Sequence, residues 1–138
     1  LSAGEMHRSV PLGNGMELVS VGKLTIEEYA KLLEESYAGI SLMCSPHPSY
    51  PPLEMSVFGV RTITNTYGNK DLASFNDSMV SLSNVSPANI AAHLHELCKA
   101  YTPKVARTKA NELYVHNEHV FDFVNDIKEI LENDRTDR

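Results

Sequence analysis

The stretch "CSPHPSYPPLEMSVFGV", residues 44–60, sets four prolines, a histidine, a tyrosine and one glutamate between two apolar runs. Pro46, Pro48, Pro51 and Pro52 forbid regular strand pairing there, because each fixes φ and lacks an N–H donor. Proline is well tolerated in the first turn of a helix, so Pro51-Pro52 predicts a helix over "PLEMSVFG" that Gly59 ends. The run just before it, "AGISLMC", is nearly continuous in apolar residues and predicts a central parallel strand covered on both faces. After it, "VRTITN" predicts a second strand from its β-branched content. The stretch thus reads as the loop and helix of a βαβ unit.

The same alternation extends in both directions. "LSAGE" reads as a strand end with a turn at Gly4, Gly13-Asn14-Gly15 as a turn, and "MELVSV" as a strand closed by Gly22. "LTIEEYAKLLEESY" is the clearest helix. Thr25 can cap it and Glu28, three residues on, completes a capping box. Ile26, Tyr29, Leu32 and Leu33 share one face at helical spacing and are expected inward. Downstream, "MVSLSNV" reads as a strand, and Ser86-Pro87 opens a helix with Ile90, Leu94, Leu97 and Cys98 inward. Residues 118–132 read as a final amphipathic helix. The predicted fold class is therefore α/β, a Rossmann-like parallel sheet with helices on both faces. Ligands of such sheets bind beyond the carboxyl ends of the strands, and the proline-rich loop lies at one of those ends.

Composition narrows the function classes. The chain has 138 residues, 42% hydrophobic and 22% charged, as one globular domain would. Its formal net charge of −6 argues against general nucleic-acid binding, which needs a basic face. A small phosphate ligand remains open, because backbone N–H groups at a helix start can hold one. Cys44 and Cys98 read as buried free thiols. No apolar run has the length of a membrane span and no signal segment opens the chain, so a reduced, cytoplasmic setting is expected. The start at Leu1 without methionine suggests a fragment of a longer protein.

Around the loop, Ser49 and Tyr50 precede the helix start, where unpaired N–H groups and the helix dipole suit diphosphate oxygens. Glu54 has two readings. It could complement the helix dipole, or accept hydrogen bonds from the vicinal hydroxyls of a ribose. Asn65 ends a strand, where it could reach a ligand or form a turn. Gly4 and Glu5 follow a strand end and could line the same cleft. The histidines offer little for a metal: His93 and His95 point apart on a helix, and His116 and His119 lack a third ligand. Nothing signals a Ser-His-Asp or Cys-His nucleophile.

Residues 1–100, and most specifically "SPHPSYPPLEM…FGV…TN", resemble the carboxyl-terminal domain of GT-B glycosyltransferases. They are most similar to the bacterial rhamnosyltransferase-like group of surface glycan and lipopolysaccharide synthesis. The resemblance implies one half of a GT-B architecture: a domain that binds a nucleoside diphosphate sugar such as dTDP-rhamnose. A second domain, outside this chain, would bind the glycan acceptor. Many retaining members carry an E-x7-E motif whose second glutamate contacts the donor's ribose, and Glu54 stands there. The first glutamate would fall at Pro46 and is missing; His47 stands beside that gap, in a rigid loop facing the expected cleft, and is a candidate donor contact without being taken as the glutamate's replacement. Ser49 and Tyr50 match the small residues whose backbone amides meet the diphosphate, and Pro51 beside them belongs to the same expected site. No Asp-x-Asp motif occurs, in keeping with the metal independence usual in the family, and no cofactor is implied. The resemblance further implies peripheral membrane association of a full-length enzyme at the inner face of the bacterial membrane. The apolar stripe of residues 118–132 could cross to the other domain or promote a homodimer. The alternative reading is a non-catalytic nucleotide- or protein-binding module, with the lost glutamate as a sign of decay.

Overall fold

The computed structural model of the chain describes residues 1–45, 49–74 and 76–101. The proposed helix at 118–132, together with His116 and His119, lies outside these residues, as do Pro46, His47 and Pro48.

The order of elements is β1 (Ser2–Ala3), β2 (Val10–Gly13), β3 (Met16–Leu18), β4 (Ser20–Gly22), α1 (Ile26–Glu35), β5 (Ala38–Ile40), α2 (Tyr50–Val57), β6 (Arg61–Asn65), β7 (Met79–Leu82) and α3 (Pro87–Lys99). A single 3-10 turn covers Leu72–Ser74 before β7. The architecture is α/β and Rossmann-like. β5, β6 and β7 form a parallel sheet in that order, and β1 pairs in parallel with β4.

Three strand expectations need correction. The run "MELVSV" is two strands. β3 turns back on β2 in an antiparallel hairpin through Gly13-Asn14-Gly15, while β4 joins β1. The chain changes partner at Val19, whose carbonyl accepts from Ser2 N–H at 2.8 Å. Asn14 in the hairpin turn has φ of 51°, a left-handed conformation that asparagine tolerates. The hairpin itself was not expected from the sequence. Finally, "AGISLMC" is not a central strand. β5 is only Ala38–Ile40 and, among the described residues, sits at one edge of its sheet with β6 as its partner.

The helices form where the sequence places their caps. Thr25 accepts from Glu28 N–H at 3.2 Å and Glu28 Oε2 accepts from Thr25 N–H at 2.9 Å, the reciprocal capping box. Ser86 caps α3 by accepting from Asn89 N–H at 3.3 Å, with Pro87 as the first helical residue. α2 ends in a Schellman motif: Gly59 N–H donates to Ser56 O and Val60 N–H to Met55 O, both at 2.9 Å. Gly59 has φ of 71°, where a side chain would be strained.

The core sits on the central strand. Thr62, Ile63 and Thr64 of β6 are fully buried. On one face of the sheet, Leu53 of α2 joins Met43, Leu72 and Met79 in an apolar cluster. α3 also packs against β6. Gly39 lets α2 lie close to β5, since a Cβ there would meet Met55 Sδ at 2.9 Å.

Two side-chain expectations also fail. Ile26 was placed inward, yet it is 84% exposed, because α1 begins there, at the mouth of a cleft. Cys44 and Cys98 are free but exposed rather than buried. The chain has left the sheet by Cys44, and Cys98 lies on the outer side of α3.

Candidate functional site

A cleft of about 920 Å³ opens between the β1–β4 pair and the three-stranded sheet. That size falls within the range of small-molecule sites. Its walls follow from the topology. Gly4 comes just after β1, Lys23 just after β4 and Ser41 just after β5, and all three line the cleft. The starts of two helices also reach it, through Thr25 and Ile26 of α1 and Pro51 and Glu54 of α2. The cleft thus opens past the carboxyl ends of β1, β4 and β5, where open α/β sheets hold their ligands, and runs back along the whole of β5 to Ser36 and Val60. Leu32, Leu33 and Leu94 form part of the apolar floor.

Glu54 is exposed on this wall. α2 begins at Tyr50, which makes Glu54 the fifth helical residue, and the first turn holds no acidic side chain. The dipole reading loses its footing, since that effect fades beyond the first turn. Across from Glu54, Tyr29 of α1 also lines the cleft. The phenol's pKa is raised, first by burial and then by the negative charge of Glu54.

The helix start offers fewer donors than a generic one. With Ser49 at the N-cap, Pro51 and Pro52 occupy positions where an N–H would otherwise be unpaired, and neither has one. Ser49 and Tyr50 are left as the amides that this turn can present. The Ser49 side chain makes no capping bond. Tyr50 is 71% exposed, and neither Ser49 nor Tyr50 lines the cleft as bounded by its walls.

Gly4 reaches the cleft with φ of 122°, and its N–H donates to Gly22 O at 2.8 Å. A Cβ on Gly4 would meet nothing within 4 Å, so it is the backbone conformation that calls for glycine. Glu5 instead pairs with Lys23 at 3.4 Å, with both side chains exposed. Such a pair holds little energy, which leaves Lys23 able to turn toward an anion. Lys23 is the one basic side chain among the described residues of the cleft wall.

Asn65 points elsewhere. Its Oδ1 accepts from Met43 N–H at 2.6 Å, and its Nδ2 donates to Met43 O at 2.9 Å and to Thr66 O at 3.0 Å. The side chain is buried and continues the sheet's hydrogen bonding past the end of β5. His47 lies outside the described residues. No cluster of three metal-ligating side chains occurs among the described residues, and no helix among them is long and apolar enough to cross a membrane.

Of the residues proposed from sequence, the structure thus brings Glu54, Pro51 and Gly4 to one cleft and turns Asn65 into the sheet. Sequence reading missed Tyr29 and Lys23. Tyr29 sits at core spacing on an amphipathic helix, and nothing local distinguishes a tyrosine facing a cleft from one facing a core. The position of Lys23, directly after a strand end, was the only available signal for it.

The fold is α/β of the Rossmann-like class. The family model of the WsaF C-terminal domain matches residues 1–95, and the chain belongs to that glycosyltransferase-associated family. The match covers β1 through most of α3. No curated protein matches the chain.

Proposed function

We propose that the chain is the donor domain of a GT-B glycosyltransferase and that its cleft holds a nucleoside diphosphate sugar, with dTDP-rhamnose as the first candidate. The observation that carries this reading is Glu54: an exposed carboxylate, past the first turn of α2, on the wall of a cleft at the strand ends. In this reading Glu54 accepts hydrogen bonds from the nucleoside's sugar hydroxyls. A ribose offers it two and a deoxyribose one. Lys23 adds positive charge for the diphosphate, and Gly4 lets the ligand approach the backbone closely, while the Ser49 and Tyr50 amides, outside the cleft wall, are reached only by a diphosphate that extends past it. Pro51 and Pro52 stiffen the segment, so less order must be gained on binding.

The domain's share of catalysis is orientation of the donor and stabilisation of the departing diphosphate. The acceptor and any general base belong to a second domain, so transfer activity requires that domain as well. Membrane association at the inner face and a role in surface polysaccharide synthesis extend the same reading.

Isothermal titration of the domain with UDP, dTDP, GDP and ADP tests it. Binding of at least one diphosphate, weakened by Glu54→Ala, is expected. A folded domain that binds none of them would instead be the non-catalytic module.

A further inference from the structure

We infer that the rear of the cleft is a docking slot for one extended, apolar β-strand, supplied from outside this chain, which pairs in parallel with β1 on one side and β5 on the other. The inference goes beyond the donor reading, which uses only the mouth of the cleft at Gly4, Lys23 and Glu54.

The cleft separates two pieces of parallel sheet, β1 with β4 and β5 with β6 and β7. Neither β1 nor β5 has a second strand neighbour among the described residues. Both strands line the cleft along their whole length. In a strand, successive backbone N–H groups point to opposite sides. Ser2 and Gly4 N–H both donate toward β4, to Val19 O and Gly22 O. Ala3 N–H between them therefore points away from β4, on the cleft side. Ser41 N–H donates to Ile63 O, and Tyr37 O accepts from Arg61 N–H. The backbone groups of Ala38 and Ile40 therefore point away from β6, again on the cleft side. Two rows of backbone donors and acceptors thus border one space. That space is also apolar: Leu32 and Leu33 of α1, Met55 of α2 and Leu94 of α3 line it. Ile40, a β-branched residue in a strand, is 43% exposed. A nucleotide, polar and anionic, leaves the backbone rows and these side chains unused. A strand uses both, by pairing with the two edges and by covering the helices' apolar side chains with the Val/Ile/Leu pattern of a buried parallel strand. β1, β4 and β5 all end at the mouth, so the incoming strand runs parallel to them. With it in place, β4, β1, the new strand, β5, β6 and β7 form one continuous parallel sheet, whose carboxyl ends still frame the mouth.

The test tethers a probe strand to the chain. The segment Thr-Val-Val-Ile-Val-Thr is joined ahead of Leu1 by a Gly/Ser linker of about 15 residues, which spans about 20 Å, the length of such a strand. The tether also raises the probe's local concentration to the millimolar range. Amide hydrogen exchange should slow about tenfold or more at Ala3, Ala38 and Ile40 relative to the unextended chain, and the unfolding midpoint should rise. The same tether with proline at alternate probe positions lacks the N–H donors and should slow none of the three. Unchanged exchange at these amides overturns the inference, as does protection confined to β7 or to the β2–β3 hairpin. Slow exchange at the three amides already in the unextended chain overturns it too. If that slowing depends on protein concentration, a second copy fills the slot; if it does not, another part of this chain does. Titration with UDP and dTDP reads the mouth separately: absent nucleotide binding removes the donor reading alone, and unchanged exchange removes this inference alone.

Discussion

Asn65 and Met43 exchange two hydrogen bonds, Met43 N–H to Oδ1 at 2.6 Å and Nδ2 to Met43 O at 2.9 Å. A side-chain amide stands here in place of a neighbouring strand. It takes over after Ser41 N–H has made the last bond to β6, at Ile63 O and 2.9 Å. The segment that leads into the proline-rich loop is thereby tied to the sheet. Asn65→Ala should leave a buried N–H and a buried carbonyl unpaired and cost about 2–4 kcal/mol. Denaturant unfolding would read that loss. Nucleotide affinity per folded molecule should change far less than it does for Glu54→Ala, which separates a structural asparagine from one that touches ligand.

Thr25 and Glu28 close the start of α1 reciprocally. Thr25→Ala should destabilise the domain by about 1 kcal/mol, measured as a lower denaturant midpoint with an unchanged m-value. Glu28→Ala removes the other of the two capping bonds and should lower the midpoint in the same direction.

Tyr29 has its pKa raised above 10.0 by burial and by Glu54. The folded state therefore holds the phenolic proton more tightly than the unfolded state does. The stability linked to that proton is complete below about pH 10 and is lost as pH rises through the folded pKa. Unfolding midpoints followed from neutral into alkaline pH should fall more steeply for the unmutated chain than for Y29F. Parallel curves for the two proteins would remove the linkage.

Much of the framework was legible because its signals are local. The capping box at Thr25 and Glu28, the Ser86-Pro87 start and the Gly59 stop each lie within one helical turn of what they specify. The strand "VRTITN" also emerged with its β-branched residues buried. What escaped depended on distant partners. Only the placement of β1 and β2 decides that "MELVSV" must split, and only the absence of a second neighbour among the described residues makes β5 an edge. The buried role of Asn65 depends on Met43, 22 residues earlier. Glu54 was legible as a candidate from its place after the prolines, whereas Tyr29 was not, because α1 and α2 come to line one cleft only once the chain is folded.

Titration of the domain with UDP and dTDP, comparing the unmutated chain with Glu54→Ala under identical buffer and salt, tests the central claim most directly. A carboxylate that accepts hydrogen bonds from the nucleoside's sugar makes charge-assisted contacts worth about 1.5–3 kcal/mol. The account therefore predicts an affinity loss of about 10- to 100-fold with the unfolding midpoint preserved. Equal affinities for the two proteins, or a variant whose only defect is lower stability, would contradict it.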